Sequence, residues 1–206
     1  MIVGWGILNS SNMLTSKTVF PLIEVRFHGR GGQGVVIASE VLANAAFAMG
    51  FEVSAFPFFG VERRGAPVTS YTRIDSKPIR IKSSIYEPDY VVVLDNSLVR
   101  GVDILEGLKP AGRVLINYPE GRKLSNLPSR FKYFVIDATA IAASHGIGSQ
   151  TAPIVNTAIM GGFAKMCDAV TLDSILESIR EIAPAKADEN VAAAKEAYDR
   201  TSEARV

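Results

Sequence analysis

The strongest indication of fold class lies in residues 22–36, which read LIEVRFHGRGGQGVV. Residues 22–27 are rich in β-formers and predict a strand. The apolar run over residues 35–49 predicts a helix, and its apolar character on nearly all sides indicates deep burial or coverage by another chain. Between them lies the pattern G-x-G-x-x-G, formed by Gly29, Gly31 and Gly34. A strand, a glycine turn and a helix in this order form the first unit of an α/β fold.

The rest of the chain continues the alternation of strands and helices. Further strands are predicted at residues 52–56, 68–74, 79–82, 90–94, 114–117 and 133–136, and helices at 102–108, 151–169, 171–182 and 187–200. Pro57 is expected to end the second strand, and the turn DSKP at residues 75–78 predicts a hairpin between the strands on either side of it. Because a hairpin within such a chain favours a mixed sheet, we predict a three-layer α/β/α Rossmann-like domain with a mixed, mostly parallel sheet. This single domain is expected to span residues 21–206, after an N-terminal extension over residues 1–20.

The composition excludes several classes of protein. The chain has 22 Lys and Arg residues and 21 Asp and Glu residues, which gives a net charge of +1 over 206 residues. This charge lacks the excess of basic residues typical of proteins that bind nucleic acid. Hydrophobic residues make up 48% of the chain, which excludes intrinsic disorder. Cys167 is the only cysteine, and with His28 and His145 it falls short of the ligands of an Fe–S cluster or a structural zinc. The sequence shows neither a run long enough for a membrane span nor a signal peptide, so we expect a cytoplasmic protein.

The glycine loop admits two interpretations. Glycines let the backbone approach a ligand closely, and the helix that follows offers its N-terminus to an anion. A nicotinamide or flavin dinucleotide would also need an acid at the end of the second strand, where this chain has Ala55-Phe56-Pro57. The alternative is a tight strand-to-helix crossover, in which the small residues are needed for the fold alone.

A second unusual cluster is the ERRG sequence at residues 62–65. The planar guanidinium group of arginine binds phosphates or carboxylates through two parallel hydrogen bonds. We therefore expect Arg30, Arg63 and Arg64 to converge on one anionic ligand. The alternative is that these arginines pair with acids of this chain or of a neighbouring subunit. The sequence has no pattern typical of a nucleophilic, paired-carboxylate or metal centre, so no catalytic residue is predicted.

Three longer motifs carry a resemblance to a known family. Residues 26–36 read RFHGRGGQGVV, residues 55–68 read AFPFFGVERRGAPV, and residues 86–95 read YEPDYVVVLD. In this order they resemble the gamma subunits of the 2-oxoacid:ferredoxin oxidoreductases, strongly over residues 23–98. The second motif looks more like the pyruvate and branched-chain enzymes of that family.

The resemblance implies a role within a larger enzyme. Such enzymes decarboxylate a 2-oxoacid on thiamine diphosphate, transfer the acyl group to coenzyme A and pass two electrons through Fe–S clusters to ferredoxin. The alpha and beta subunits hold the thiamine site, while the beta and delta subunits hold the clusters. The gamma subunit holds no cluster and lies near the place where coenzyme A enters, which implies a part in binding that co-substrate and no catalysis alone.

The candidate coenzyme A-binding residues are Gly29, Arg30, Gly31, Gly32, Gln33, Gly34, Arg63 and Arg64. The resemblance thus implies a gamma subunit of a pyruvate:ferredoxin oxidoreductase, assembled with alpha, beta and delta subunits and in contact with ferredoxin through the complex. We expect it to bind neither nucleic acid nor membrane. Three alternatives stay open at this point. They are a 2-ketoisovalerate enzyme, a structural subunit whose glycine loop binds nothing, and a stand-alone dinucleotide-binding oxidoreductase.

Overall fold

The computed structural model describes residues 21–58, 65–149 and 151–206. The predicted extension at residues 1–20 lies outside the described residues, and so do Arg63 and Arg64. The helices and turns of these residues pack around one large β-sheet.

The sheet has seven strands in the order β2-β3-β1-β4-β5-β6-β9. These strands are β1 (Ile23–Arg30), β2 (Glu52–Phe58), β3 (Pro67–Asp75), β4 (Tyr90–Val93), β5 (Arg113–Asn117), β6 (Lys132–Ile136) and β9 (Ser202–Ala204). Strands β1, β4, β5 and β6 pair in parallel, whereas β3 is antiparallel to both β1 and β2, and β9 is antiparallel to β6. Five of the seven strands therefore run in one direction, and the predicted mixed, mostly parallel sheet is confirmed.

Two layers of unequal thickness cover the sheet. The helices are α1 (Val35–Ala48), α2 (Leu98–Gly101), α3 (Ala138–Ser144), α4 (Ala158–Met166), α5 (Leu172–Ile182) and α6 (Ala187–Arg200). One core contains Val92 and Leu115 of the sheet together with residues of α1, α3, α4, α5 and α6. The opposite face, with Val91 and Val114, packs against α2 and the turns that follow it. The α/β class is thus confirmed, with the second covering layer made mostly of irregular chain.

The prediction that residues 79–82 form a hairpin with β3 is wrong. Residues 79–82 form no strand, and β3 pairs instead with β2 on one side and β1 on the other. Since both edges of β3 are occupied, the chain after its turn has no free edge to join. The predicted end of β2 at Pro57 is also wrong, because β2 continues to Phe58. A proline is tolerated there since β2 is the edge strand of the sheet.

Three helix predictions need correction. The helix predicted over residues 151–169 is confined to α4, because the chain before it forms a small ribbon of β7 (Gly148–Ser149) and β8 (Ala152–Pro153). The helix predicted at 102–108 is a series of turns, and the helix of this region is α2, just before it. Helix α3 was not predicted. Helix α1 matches its prediction closely and lies deep in its own fold, packed on α5 and the sheet.

A buried arginine–histidine pair holds the turns of the second layer against the sheet. Arg26 and His28 are both more than nine-tenths buried on β1. The Arg26 Nε donates to the His28 Nε2 at 3.0 Å, and its Nη2 donates to the carbonyl oxygens of Ile104 and Glu106. Burial, followed by the nearby Arg26 charge, lowers the pKa of His28 to about 3. His28 therefore serves as a neutral acceptor, which is a structural role.

The His28 pKa predicts a loss of stability in mild acid. The unfolded chain protonates this imidazole near pH 6.5, whereas the folded protein does so only near pH 3. Between these values the unfolded state holds one more proton, so stability falls as the pH falls, by about 1.4 kcal/mol per unit. His28→Gln keeps an acceptor for Arg26 but cannot titrate. Urea unfolding at pH 6.5 and pH 5 should show a loss on the order of 2 kcal/mol smaller in this variant than in the wild type. Equal losses in the two proteins would contradict this prediction.

Candidate functional site

The glycine loop lies at the point where the sheet changes its direction of growth. From β1 the chain passes through α1 to β2 and β3 on one side, and β4, β5 and β6 follow on the other side. In open α/β sheets, ligands bind in the crevice at the carboxyl ends of the strands next to such a switch point. The loop after β1 and residues 95–97 after β4 meet at this crevice.

Gln33 and Asp95 tie the two sides of the crevice together. The Gln33 Oε1 accepts a hydrogen bond from the Arg30 backbone N at 2.7 Å, and its Nε2 donates to Asp95 Oδ2 at 2.8 Å. The Asp95 Oδ1 also accepts bonds from the backbone N and the hydroxyl of Ser97. Partial burial disfavours the charged carboxylate, but the hydrogen bonds from Ser97 and Gln33 and the Arg30 charge outweigh it and lower the pKa of Asp95. Asp95 is therefore a fixed negative anchor for the loop.

Arg30 is paired within the chain. Its Nε lies 3.4 Å from Asp95 Oδ2, its Nη2 donates to Ser97 Oγ at 2.7 Å, and its Nη1 donates to the Gly65 carbonyl at 2.9 Å. The alternative in which Arg30 meets an acid of this chain is thus confirmed. About a third of the side chain stays exposed. A ligand contact by this partly exposed, fixed guanidinium stays a prediction.

The structure explains two of the three motif glycines by packing. A Cβ on Gly29 would lie 2.4 Å from Val35 Cγ2. Gly34 has φ +75, in the left-handed region, and a Cβ there would lie 2.2 Å from Asn156 Nδ2. The crossover interpretation of the loop therefore explains these positions without a ligand.

The N-terminus of α1 nevertheless has the properties of an anion site. Its N-cap is Gly34, which supplies no side-chain acceptor, and its first turn has no acidic residue. In the described part of the chain, the backbone N–H groups of Gly32 and of residues 34–37 have no acceptor. Unpaired N–H groups at the positive end of a 14-residue helix favour a bound anion.

The polar side chains Asn117 and Asp137 of the crevice are engaged in hydrogen bonds within the chain. The crevice has a volume of about 520 Å³ and follows the ends of β4, β5 and β6. Asn117 Nδ2 donates to the Leu94 carbonyl and to Thr139 Oγ1, while Asp137 caps α3 by accepting from the Ala140 N. Because these side chains already form hydrogen bonds within the chain, they are better placed to shape a binding surface than to transfer protons.

A second, basic cavity opens on the other side of Ser97. Its volume is about 350 Å³, and Arg100 and Arg122 lie in its wall. Neither guanidinium has an acidic partner within the described ranges. The basic charge near the glycine loop is therefore not limited to the predicted residues.

Gly65 and Ala66, which follow Arg64 in the sequence, lie against the glycine loop. Gly65, the next residue, donates its backbone N–H to the Gly31 carbonyl at 3.1 Å, and Gly31 in turn donates to the Ala66 carbonyl at 2.9 Å. These bonds bring the chain that follows Arg64 against the predicted site. The expected convergence of the two arginines with Arg30 stays a prediction.

Sequence reasoning missed three residues of this site: Asp95, Ser97 and Asn156. Asp95 carries a usable signal, because an acid directly after an apolar strand ends at the ligand edge of a parallel sheet. Ser97 and Asn156 carry no such signal. Among the described residues, no group of three His, Cys, Asp or Glu side chains is placed to hold a metal ion, and no helix is long and apolar enough to cross a membrane.

Comparisons with known proteins agree with this architecture. Residues 24–200 match the family described as pyruvate ferredoxin/flavodoxin oxidoreductase. The chain is 52% identical over 186 residues to the Pyrococcus furiosus pyruvate/ketoisovalerate oxidoreductases common subunit gamma, covering 87% of this chain and 97% of that one. Among solved structures, it is similar to the pyruvate oxidoreductase subunit PORC of Thermotoga maritima, with a TM-score of 0.72, 30% identity, and coverage of 89% of this chain and 99% of the other.

A more distant structure shares the fold. It is a 2-oxoglutarate:ferredoxin oxidoreductase from Magnetococcus marinus, solved with 2-oxoglutarate, coenzyme A and succinyl-CoA bound. The TM-score is 0.66 at 18% identity, and the match covers 87% of this chain and 30% of that longer one. Together with the family match over most of the chain and the relative at 52% identity, the architecture leads to one conclusion. The chain belongs to the pyruvate ferredoxin/flavodoxin oxidoreductase family.

Proposed function

We propose that the chain is the gamma subunit of a multi-subunit pyruvate:ferredoxin oxidoreductase. The complete enzyme would convert pyruvate, coenzyme A and oxidised ferredoxin to acetyl-CoA, carbon dioxide and reduced ferredoxin. The relative at 52% identity is named as a gamma subunit, and its length matches this chain closely. Within the complex, this chain would contribute to assembly and to the binding of coenzyme A.

The observation that carries the coenzyme A proposal is the uncapped N-terminus of α1. Its unpaired N–H groups belong to the glycine loop and to the first turn of α1, and the same loop carries Arg30. Coenzyme A carries a diphosphate and a 3′-phosphate, and such groups suit backbone N–H groups and arginine forks. Gly29, Gly31, Gly32 and Gly34 let the backbone approach the ligand, and Gln33 fixes the loop.

The reacting groups are assigned to partner chains. The single cysteine of this chain cannot supply the four thiolates of an Fe–S cluster. We therefore assign thiamine diphosphate and the clusters to the alpha, beta and delta subunits, with ferredoxin reached through the assembled complex. A cytoplasmic location stays a prediction that rests on the lone thiol.

The order of strands in the sheet argues against the alternative of a stand-alone dinucleotide-binding oxidoreductase. In a dinucleotide-binding fold, the acid that holds the ribose ends the strand next to β1. Here β3 lies between β1 and β2, so the end of β2 is two strands away from the glycine loop. The 2-ketoisovalerate alternative is favoured by one observation, namely that the relative's name covers both oxoacids.

Purification of the native complex under anaerobic conditions tests the proposal. The tagged chain should bring down three further subunits, and the eluate should reduce a viologen dye only when both pyruvate and coenzyme A are present. Reduction with 2-ketoisovalerate but not with pyruvate would change the substrate and keep the family role. An isolated chain with a bound dinucleotide would contradict the proposal.

The predicted arginines give a sharper test on the assembled enzyme. Arg63→Ala and Arg64→Ala, made singly, should each raise the KM for coenzyme A about tenfold, since a charge-assisted contact contributes roughly 1.5–3 kcal/mol. The KM for pyruvate should stay nearly unchanged, because the oxoacid is bound elsewhere. Arg130→Ala is the control, since Arg130 stacks on Phe131 away from the glycine loop. Unchanged coenzyme A kinetics, or loss of assembly in place of a KM effect, would contradict the ligand role.

A further inference from the structure

The segments that follow β4 and β5 enclose a cavity of about 350 Å³ on the side of the sheet that α2 covers. Its walls come from residues 96–100 and 118–126. We name this space the Arg100–Arg122 cavity, after the two guanidinium groups in its lining. It lies at the carboxyl ends of two parallel strands, where open α/β sheets bind their ligands.

The two arginines of this cavity are unpaired. Neither Arg100 nor Arg122 forms an ion pair or a side-chain hydrogen bond among the residues that the structure describes. By contrast, Arg30 pairs with Asp95 at 3.4 Å. Two unpaired cations in the lining of one cavity repel each other, and an anion between them replaces this repulsion with two attractions.

Buried leucines anchor the two segments that carry these arginines. Leu98, two residues before Arg100, is 2% exposed, and Leu124, two residues after Arg122, is 3% exposed. Both leucines belong to the core between the sheet and the second layer. Because the backbone on each side of the cavity is held in this way, binding an anion there orders less of the chain and costs less entropy.

The other polar side chains of the lining are suited to complete an oxyanion site. Three of them have amide or hydroxyl donors that bond to no other described residue, namely Asn96, Ser125 and Asn126. Ser97 is engaged, since its hydroxyl donates to Asp95 and accepts from Arg30. The described lining contains no Asp or Glu, and Arg30 balances the charge of Asp95 nearby. The cavity therefore offers donors and positive charge without a competing carboxylate.

We propose that the Arg100–Arg122 cavity binds a phosphate dianion, either as inorganic phosphate or as the monoester of a small molecule. Two guanidinium groups with neutral donors beside them match the several oxygens of a tetrahedral dianion, whereas a carboxylate is satisfied by one guanidinium. The volume has room for a phosphate with a short organic substituent. This site goes beyond the proposed function and is separate from the site assigned to coenzyme A.

The cavity borders the crevice beside the glycine loop without being part of it. Asn96 lines both spaces, and Ser97, in the lining of the cavity, accepts a hydrogen bond from Arg30. A phosphate between Arg100 and Arg122 would therefore lie next to the crevice and leave it open. Saturating coenzyme A should accordingly leave this phosphate bound.

Equilibrium dialysis with radiolabelled inorganic phosphate tests the inference on the purified full chain and on the assembled complex, in a chloride buffer of low ionic strength. We expect saturable binding to both, unchanged by coenzyme A, with competition by methyl phosphate and by sulfate but not by acetate at the same concentration. Arg100→Gln and Arg122→Gln should each weaken the binding about tenfold, because each removes a charge-assisted contact.

Arg180→Gln is the matched control. It removes an exposed arginine that is likewise unpaired among the described residues, but on α5, in the opposite layer. It should leave phosphate binding unchanged. Since Arg100 and Arg122 are exposed too, all three variants should unfold at the same urea concentration as the wild type.

Four results would overturn the inference. The first is the absence of saturable phosphate binding to both the full chain and the complex. The second is an equal loss in Arg180→Gln, which would reveal unspecific attraction to positive charge. Displacement of phosphate by coenzyme A would assign the two arginines to the co-substrate. Binding to the full chain but not to the complex would show that an acidic group of a partner subunit fills the cavity.

Discussion

Replacing Gly161 with alanine is expected to destabilise the protein by about 3 kcal/mol, near the upper end of the usual cost of overpacking. Gly161 lies on α4 where this helix crosses α6, and a Cβ there would lie 1.8 Å from the Ala194 carbonyl oxygen. Since the obstructing atoms belong to the backbone of α6, no rotamer change relieves the clash. The two helices would have to move apart. Urea unfolding of the full chain, followed by circular dichroism, measures the loss.

Gly101→Ala is the matched control for this substitution. Gly101 lies at the end of α2, and no atom lies within 4 Å of the position that its Cβ would occupy. The control should change stability by less than about 0.5 kcal/mol. Similar unfolding curves for the two variants would show that the helices adjust freely, contrary to this prediction.

The sequence predicts well those elements that depend on residues close together in the chain. The strand, glycine loop and helix of residues 23–48 appear as predicted because their apolar runs and turn residues are contiguous. The pairing of β3 was predicted wrongly because the nearest candidate partner, at residues 79–82, competes with two strands that are distant in sequence. Strand β9 shows the same limit. It consists of three residues at the end of the chain and exists only because β6 offers a free edge.

The candidate site shows a similar division. The glycine motif was predicted from its sequence context, and the structure places it at the switch point of the sheet. The residues that fix it were not predicted, because Asp95 bonds to Gln33 across 62 positions and Ser97 bonds to Arg30 across 67. Asn156 is still farther along the chain, and a lone asparagine before a helix resembles any other cap. Only the folded chain shows that its amide lies over Gly34.

Arg73→Met is expected to cost about 3–5 kcal/mol, because it breaks a buried ion pair by removing one partner. Arg73 is 1% exposed, and its Nε donates to Glu24 Oε1 at 2.8 Å. Its Nη1 and Nη2 donate to the carbonyls of Ile81 and Ser84 at 3.4 and 3.3 Å. Methionine fills much of the same volume but leaves the Glu24 carboxylate with only Lys109, 3.9 Å away, as a charged partner. Urea unfolding of the purified full chain gives the loss.

Arg200→Met separates this effect from the general loss of an arginine. Arg200 pairs with Glu196 at 2.7 Å on the surface of α6, where such a pair contributes less than about 1 kcal/mol. Arg200 also pairs with Glu120, and it is 39% exposed in its side chain, so the larger loss expected for Arg73→Met reflects the burial of Arg73 and its bonds to the chain after β3. Arg73 also accounts for the position of residues 79–85, which join no sheet edge and are held to β3 through the carbonyls of Ile81 and Ser84. Arg73→Met should therefore speed proteolysis within this segment, and Arg200→Met should not. If both variants lose equally little stability and the cleavage rates match, the segment is held by contacts other than the Arg73 guanidinium.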